Sequence, residues 1–540
     1  MNIFFVPSNN KDMKTFNFIK NLFVYTQKEE QPTFTLPPSE KTSDSTDLNQ
    51  SISTDYNENL SFIQSVYSLP QNSDIKIREF LIANRQKAFL LFVEGLVRDD
   101  SISTHILAPL MLLSQPKITS DVLHNHLLLN NQVAKVQTYK EVLNEVNMGN
   151  CLLLVDGFTT AFSVDVKGWE RRGINPPLTE HVIYGPHEGF NENFKVNTAL
   201  VRKNLRTCDL VCETIPLGKQ SQTPCALLYI KNVTNPALVK EMKRRLKKID
   251  ADYVYQAGEV EQFIEDASFS LSPQFLTTER PDKTAAALVE GKIALIVHGS
   301  PFALIAPVAF TEFLTSPEDQ NVRFPFANLM KAIRLLGILS SFLLSGIYIA
   351  IVNFHHEMIP PGLLFAIESA RESVPFSALF EILLMEIAFD IIREASLRVP
   401  SPIGSTVGII GGLIVGQAAV SANLVSPLAI IIVSLTGVGS FATPNYALNF
   451  TFRFARYLYI FLGAMWGFLG IATGIFIHAA LLSSISSMGV SLFSTLSGDE
   501  RNGIGAFLFQ PPAWKREKRH KYVQAQQTEL QPKISRKWVE

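Results

Sequence analysis

The chain reads EILLMEIAFDIIREASLRVPSPIGSTVGIIGGLIVGQ from Glu381 to Gln417, and this stretch combines two unusual patterns. The first half places acidic residues inside an otherwise apolar helical pattern. The second half repeats glycine at every fourth position, which costs a helix in water about 1 kcal/mol per glycine relative to alanine. In a membrane, small residues at this spacing let neighbouring helices approach closely, and intramembrane acids face a partner or water. Together the two patterns indicate an oligomeric ion pathway.

The composition around this stretch predicts a helical membrane domain. The chain has 540 residues, which suggests two or three domains, and charged residues make up only 18% of it. No Asp, Glu, Lys or Arg occurs between Val399 and Phe452 or between Tyr457 and Gly498. Such runs exceed the roughly 20 apolar residues that cross a bilayer. The formal net charge of −1 gives no sign of nucleic-acid binding.

Five apolar segments are predicted to enter the membrane, and their flanking charges suggest an orientation. The segments are Ile333–Phe354, Ser377–Arg398, Ile403–Val425, Pro427–Phe441 and Tyr457–Leu482. Arg334 near the start of the first segment, Arg453 and Arg456 before the last, and the basic tail from Lys515 all favour the cytoplasm. Five full crossings would place that tail outside. We therefore predict an even number of crossings, with the 15-residue segment as a half-helix or Ser483–Leu496 as a partial return.

The predicted fold class is an α/β N-terminal cytoplasmic region of two related lobes, followed by an all-α polytopic membrane domain. The opening MNIFFVPSNNKDMK has no signal-peptide core, so the lobes are expected in the cytoplasm, with reduced cysteines. A polar segment rich in Ser, Thr and Pro predicts disorder near the N-terminus. The predicted divisions are a disordered lead-in at 1–60, a first α/β lobe with a polar connector at 61–207, a second lobe at 208–330, the transmembrane domain at 331–498 and a basic cytoplasmic tail at 499–540.

A pattern that occurs twice predicts the two lobes. Each copy starts with an apolar strand, Ala88–Gly95 or Cys225–Asn232, continues through helices and ends in a β-hairpin. The hairpins are predicted at Cys151–Val166 and Lys292–Phe310, because DG and HGS are turn sequences between strand patterns. In the second copy Pro236 begins a helix, where its missing N–H is not needed.

The acidic helix has two interpretations. At 100° per residue its charged side chains gather on one side, with Glu381 offset. In the first interpretation these side chains form internal ion pairs, Asp390 with Arg393 or Glu394 with Arg398, or the helix lies at the interface with one side in water. In the second they line a cation path between several copies. The acids outnumber the bases in the apolar part of this helix, so we predict contact with water. The candidate pore or gate residues are Glu381, Glu386, Asp390, Thr406, Leu413 and Gln417.

The glycine repeat predicts a helix-packing seam. The seam consists of Gly404, Gly408, Gly411, Gly412 and Gly416. It fits a close contact within one subunit, or a contact between identical subunits around an axis. Away from part of the seam lie Thr406, Ile410, Leu413 and Gln417, and a narrow aliphatic constriction there is expected to gate by dewetting.

Three stretches resemble the A subunits of GerA-type spore germinant receptors. They read VPSPIGSTVGIIGGLIVGQAAVSANLVSPLAIIIVSLTGVGSFATPNYAL in the membrane domain, ERRGINPPLTEHVIYGPHEGFNENFKVNTALVRKNL in the connector and VEGLVRDD in the first lobe. The resemblance covers residues 65 to 510, in consistent order. Tyr184 and His187 depart from it, because the family pattern carries arginine there. The matching connector residues imply interdomain or intersubunit polar contacts: Arg171, Arg172, Glu180, Glu188, Asn197 and Arg202.

The resemblance implies a multi-pass protein of the endospore inner membrane, with both termini cytoplasmic. It implies a homo-oligomeric ring in membrane lipid that forms a nutrient-gated channel and releases monovalent cations. The implied partners are a B subunit, a transporter-like membrane protein, and a C subunit, a lipoprotein.

Other functions remain open on the residues alone. A non-conducting membrane scaffold or signalling subunit is the main alternative. A solute transporter is disfavoured, because two matching halves with broken helices are not evident. An enzyme is not expected: the lobes contain no recognisable catalytic constellation, nucleotide fingerprint or metal-ligand set, and neither cofactor nor nucleic acid is predicted.

Overall fold

Two five-stranded antiparallel sheets form the first part of the molecule. The computed structural model describes residues 34–39, 48–112, 119–168, 176–399, 401–495 and 509–532, and only the backbone of 401–410. The strands of the first sheet are β1 (Ile75–Ile82), β2 (Gln86–Val93), β3 (Val133–Val136), β4 (Cys151–Val155) and β5 (Ala161–Val164). Those of the second are β6 (Leu210–Leu217), β7 (Thr223–Ile230), β8 (Leu276–Thr278), β9 (Ile293–Val297) and β10 (Ala303–Ala306).

The two sheets have the same topology. The strand orders are β1-β2-β4-β5-β3 and β6-β7-β9-β10-β8, so each strand of one sheet has a counterpart in the other. The predicted hairpins are confirmed, since β4 pairs with β5 and β9 with β10. Sequence reasoning missed the outer strands β1 and β6 and the short strands β3 and β8. Strand β1 (IKIREFLI) carries charged residues and lies at an edge, which obscures its pattern.

Helices pack on both sheets and connect them. Helices of eight or more residues are numbered here: α1 (Tyr56–Val66), α2 (Tyr139–Asn147), α3 (Phe194–Asn204), α4 (Pro236–Lys247), α5 (Ala257–Ile264) and α6 (Pro281–Val289). Shorter helical pieces follow β2 at Asp99–Ser101, Ile102–Leu107, Ala108–Met111, Ser120–Val122 and Leu123–Leu127, and β10 at Phe310–Phe313 and Pro317–Gln320. The predicted helix start at Pro236 is confirmed, and the Asn235 side chain caps it.

The lead-in predicted as disordered is ordered at its end. Ile52 is 3% exposed and Tyr56 begins α1, both packed in the core of the first sheet. The backbone N–H of Tyr139 donates to the carbonyl of Gln50 over 3.1 Å. The prediction of disorder is therefore wrong for residues 48–60, where a few apolar residues suffice to dock a polar segment. Residues 1–33 and 40–47 lie outside the described residues.

The C-terminal part is a helical bundle. Its helices are α7 (Phe324–Phe354), α8 (Pro361–Glu372), α9 (Ala378–Arg398), α10 (Ser401–Ser421), α11 (Pro427–Phe441) and α12 (Tyr446–Ser484). Among the described residues, α7 and α12 are long and apolar enough to cross a membrane, and Gly411–Ser421 and Pro427–Phe441 are shorter apolar helices. A short 3-10 turn, His356–Met358, follows α7.

Helix α12 reverses direction at Gly467. This glycine has φ +56° and ψ −136°, values that interrupt the helix. Tyr459 and His478 would lie about 28 Å apart on a straight helix, yet the Tyr459 hydroxyl lies 3.3 Å from the His478 ring nitrogen. The backbone N–H of Phe468 donates to His355, just past the end of α7. The prediction of one span over Tyr457–Leu482 is therefore wrong: α12 is a hairpin of two antiparallel helices, α12a before Gly467 and α12b after it.

Glycine pairs bring α7 close to two of its neighbours. A Cβ added at Gly463 of α12a would lie 2.5 Å from the carbonyl oxygen of Gly346. A Cβ added at Gly439 of α11 would lie 2.5 Å from the carbonyl oxygen of Gly337. Close approach of this kind is the packing mode of small residues in membranes. Helix α7 therefore makes tight backbone contacts with both α11 and α12a.

The chain after α12 returns to the second sheet. The small hairpin β11 (Ser486–Ser487) and β12 (Val490–Ser491) buries Met488 in the core of that sheet. Beyond it, Val523 is fully buried, and the amide group of the Gln526 side chain donates to the carbonyl of Thr234 over 2.7 Å. The described part of the basic tail thus packs against the second lobe.

Candidate functional site

A buried ion pair lies where four helices of the bundle meet. Glu386 of α9 and Arg456 of α12a form a salt bridge, and both side chains are 0% exposed. The Glu386 carboxylate also accepts from Ser345 of α7 over 2.7 Å and from Thr436 of α11 over 2.9 Å. Removing one partner of a buried pair typically costs 3–5 kcal/mol, because the other charge is left uncompensated. The pair therefore ties α7, α9, α11 and α12a together.

Two further acids of α9 extend this arrangement along the helix. Asp390, one turn later, pairs with Arg453 over 2.8 Å and accepts from the Tyr457 hydroxyl over 2.7 Å. Glu381, more than one turn earlier, is 0% exposed, and Arg371 of α8 lies 3.3 Å away. The backbone N–H at Ser426 donates to Glu381 over 3.0 Å. Each of the three carboxylates thus meets an arginine from another helix.

These contacts correct the prediction that the acids contact water. The acids do outnumber the bases in the apolar part of α9, but the compensating arginines come from α8 and α12. Glu381 and Glu386 are covered by their own chain, so they do not face a water-filled path in this arrangement. The expected pair of Asp390 with Arg393 is also wrong; Arg393 donates to Ser440 over 3.0 Å. The pair of Glu394 with Arg398 forms, over 2.7 Å.

The arginines of α12 were misplaced by the sequence reasoning. Arg453 and Arg456 were assigned to a cytoplasmic loop by the rule that basic residues flank spans. In the structure both lie inside α12a, with Arg456 in the interior. Their spacing of three places them on one face of a helix, and the spacing of four between Glu386 and Asp390 places those acids on one face of α9. Two pairs of opposite charge, each at a spacing that shares one helix face, are a signal that could have identified the network.

The network is positively charged overall. Glu386 and Asp390 carry two negative charges, while Arg393, Arg453 and Arg456 carry three positive ones. Within the part of the chain that the structure describes, the Nε and one Nη of Arg456 have no hydrogen-bond partner. A buried arginine with unused donors depends strongly on its one carboxylate.

The glycines of the seam do not share one neighbour in the single chain: some contact α9 or α11, and one lies on an open face. A Cβ at Gly411 would lie 3.6 Å from Ile392 of α9, and one at Gly416 would lie 3.7 Å from Ile430 of α11. A Cβ at Gly412 would meet none of the described residues within 4 Å. Leu413 is 66% exposed and Gln417 is exposed as well. The side-chain surroundings of Gly404, Thr406 and Gly408 lie outside the described residues. The outer face of α10 is thus open, away from the buried acids.

The connector contributes a second polar junction, between the lobes. Arg202 of α3 is 2% exposed and pairs with Asp74, which precedes β1. The same guanidinium donates to Asn72 and to the carbonyl of Leu210 on β6, both over 3.0 Å. Burial lowers the pKa of Arg202, but Asp74 outweighs this effect and raises it. The arginine therefore stays charged and joins elements of both sheets.

The other connector residues make polar contacts within the connector and with the second lobe. Glu180 pairs with Lys283 of α6 over 2.6 Å, and Glu188 pairs with Lys203 of α3 over 2.5 Å. Asn197 is fully buried and accepts from the backbone N–H of Asn191 over 2.9 Å. Arg171 and Arg172 lie outside the described residues. The two departures from the family pattern, Tyr184 and His187, are both exposed.

Comparison with known proteins reveals the family of this chain. The family model described as "Bacillus/Clostridium GerA spore germination protein" matches residues 63–522. Spore germination protein KA of Bacillus subtilis is 37% identical over 470 residues, covering 86% of each chain. Spore germination protein GerLA of Bacillus cereus is 34% identical over 466 residues, covering 85% of this chain and 94% of the relative.

A membrane protein and a solved structure are also similar to this chain. An uncharacterized membrane protein, YfkQ of Bacillus subtilis, is 36% identical over 444 residues, covering 82% of this chain and 86% of the relative. The crystal structure of the N-terminal domain of the A subunit of the Bacillus megaterium spore germinant receptor GerK3 is 32% identical. It covers 48% of this chain and 96% of that chain, with a TM-score of 0.35. Since the family model spans most of its length, the chain belongs to the GerA family of spore germination proteins.

Proposed function

We propose that this chain is the A subunit of a nutrient-germinant receptor in the endospore inner membrane. Its copies form an oligomeric, germinant-gated channel whose opening releases monovalent cations. Membership of the GerA family supports the role in germination. The observation that carries the channel proposal is the open, apolar face of α10 around Gly412, which a membrane subunit covers with lipid or with another copy.

Six helices cross the membrane in this proposal. An antiparallel arrangement of α9 and α7 is supported by two observations: Glu386 meets Ser345, and Ala378 and Ile382 share a hydrophobic cluster with residues later in α7. Helix α10 is antiparallel to α9, and α11 is antiparallel to α10. With α12a and α12b counted separately, α7, α9, α10, α11, α12a and α12b give an even number of crossings. The lobes and the basic tail then share the cytoplasmic side, as the positive-inside rule favours.

The pore is proposed to lie between copies, along the outer face of α10. Leu413 and Gln417 are exposed on that face, and Thr406 precedes them on the same helix. The glycine seam allows neighbouring helices to pack closely around an axis. The buried acids have a different role here: Glu386 and Glu381 hold α9 against its neighbours, so that the subunit keeps its shape while α10 moves.

The receptor partners follow from the family. We infer a B subunit, which carries the nutrient pocket, and a C-subunit lipoprotein, as the resemblance implies. The interlobe junction around Arg202 supports a relay, because a rigid contact between the lobes passes a movement of one to the other.

The experiment is potassium efflux from liposomes that contain this chain with its B and C subunits. Wild type is expected to release potassium when germinant is added. Gly412→Leu is expected to alter or abolish this release, because a Cβ at Gly412 meets no described residue of its own subunit within 4 Å and the added side chain then acts between copies. Gly362→Leu is the matched control, since Gly362 of α8 is equally open, and its efflux should equal that of wild type.

A non-conducting scaffold is the second candidate, and the same assay separates it. A verified, membrane-inserted complex that never releases potassium with germinant present would refute the channel proposal. If Gly412→Leu then also prevents recovery of the B subunit with this chain, the scaffold function accounts for the open face. The channel proposal instead expects the complex to assemble.

A further inference from the structure

The second lobe carries a braced loop, Asp266–Ser272, that presents apolar side chains outward. Phe269 is 74% exposed and Leu271 is 59% exposed. The buried side chain of Gln274 holds the loop, because its oxygen accepts from the backbone N–H of Asp266 over 2.8 Å and of Ala267 over 2.9 Å. Its amide nitrogen also donates to the carbonyl of Ala267 over 2.7 Å. The exposed side chains are thus held out by a shaped loop.

This loop is bonded to both ends of the α12 hairpin. The carbonyl of Leu271 accepts from the Thr451 hydroxyl over 2.5 Å, near the start of α12a. The Asp266 carboxylate accepts from the Ser486 hydroxyl over 2.9 Å and from the backbone N–H of Gly489 over 3.0 Å, just past the end of α12b. The loop therefore sits where both helices of the hairpin leave the bundle.

The depth of this position follows from the parallel helices α7 and α12a. Gly463 contacts Gly346, so these two residues lie at the same level. Thr451 precedes Gly463 by 12 residues, and Arg334 precedes Gly346 by 12 residues, so each lies about 18 Å before that level. Arg334 marks the polar boundary of α7.

The boundary itself is clear from the contacts of Arg334. Its two terminal nitrogens pair with Asp319 over 2.7 and 3.0 Å. From Leu335 to Phe354, α7 has no charged residue. Leu271 therefore lies at the level where the membrane-spanning stretch begins, which is the boundary between lipid headgroups and acyl chains.

We propose that the loop Asp266–Ser272 inserts Leu271 into this lipid boundary and so docks the second lobe on the membrane. The occupant of the exposed face is the bilayer that surrounds α12, because the loop is continuous with the lipid-crossing hairpin. Large apolar side chains at the interface bind lipid in proportion to the apolar area that they bury. The inference rests on the proposed membrane topology.

The test places a fluorescent label at Leu271 in the full chain. Leu271→Cys, in a Cys208→Ser background, is labelled with an environment-sensitive dye and reconstituted in bilayers; the remaining thiols, Cys151, Cys212 and Cys225, are buried. Lipids carry a nitroxide either near the glycerol or at the end of the acyl chain. Phe476→Cys on α12b, 75% exposed, is the membrane reference, and Met148→Cys on the first lobe is the aqueous reference.

We expect the shallow nitroxide to quench the Leu271 label strongly and the deep nitroxide to quench it less. The Phe476 label should be quenched by the deep nitroxide, and the Met148 label by neither. A Leu271 label that behaves like the Met148 label overturns the inference while the membrane topology stands. A blue-shifted but unquenched Leu271 label overturns it in favour of a protein surface. Absence of quenching at Phe476 would overturn the topology and, with it, this inference.

Discussion

Replacement of Glu386 by glutamine tests the buried ion pair with little change of shape. The glutamine carbonyl can still accept from Ser345 and Thr436, so the substitution removes mainly the charge. Arg456 is then left as a fully buried cation whose Nε and one Nη already lack partners among the described residues. Uncompensated buried charges cost about 3–5 kcal/mol, and we expect Glu386→Gln to lower the free energy of unfolding by that amount.

The free energy is measured by detergent-induced unfolding in mixed micelles. The matched control is Glu394→Gln on the same helix, whose partner Arg398 is 78% exposed and whose loss should cost about 0–0.5 kcal/mol. The double variant Glu386→Gln, Arg456→Gln should be about 2–3 kcal/mol more stable than the sum of the single effects predicts. A Glu386→Gln cost equal to that of the control, or strict additivity, would refute the role of this pair.

Three further predictions follow from other contacts. Gly463→Ala should destabilise the bundle by about 2–3 kcal/mol because its Cβ would strike the backbone of α7, whereas Gly412→Ala, in open space, should change stability by less than about 1 kcal/mol in the same assay. Burial and then Glu265 raise the pKa of Glu261 from 4.5 to about 7, so the folded chain binds the extra proton and stability should fall as pH rises from 4.5 to 7. Burial also raises the pKa of Glu265 to about 7, so Glu261→Gln should reduce that loss without abolishing it, and an unchanged pH dependence of the Tm would contradict the assignment. Arg202→Gln should cost about 3–5 kcal/mol and speed hydrogen exchange at the β6 amides, while unchanged exchange would show that the junction does not hold the lobes.

Local patterns sufficed to predict much of the lobes. The hairpins of β4 with β5 and of β9 with β10, and the helix that begins at Pro236, depend on turn and cap residues that act over a few positions. The outer strands were missed because their partners are set by the whole sheet. The order of residues 48–60 was missed for a similar reason: Ile52 is buried by a core that lies elsewhere in the sequence.

The helical domain was harder to predict because its charges pair between helices. The acids of α9 were identified, but the sequence pattern of one helix cannot show that Arg371, Arg453 and Arg456 face them. The glycine repeat of α10 is regular, whereas the close backbone contacts among the described helices use single glycines of α7, α11, α12a and α12b. The turn at Gly467 was hidden inside a continuous apolar run. Ion pairs between helices and the reversal of the chain at Gly467 depend on the whole bundle, so the pattern of a single helix cannot predict them.

The tail that packs on the second lobe has a consequence for the order of synthesis. Asn235 caps α4 and also donates to the carbonyl of Gln524, nearly three hundred residues later in the chain. Val523 fills a site on the same lobe that stays vacant until the ribosome has made almost the whole protein. The second lobe therefore begins to fold before the bundle exists and is completed after it. A nascent chain that stalls within the bundle therefore carries a second lobe that lacks its last buried residues.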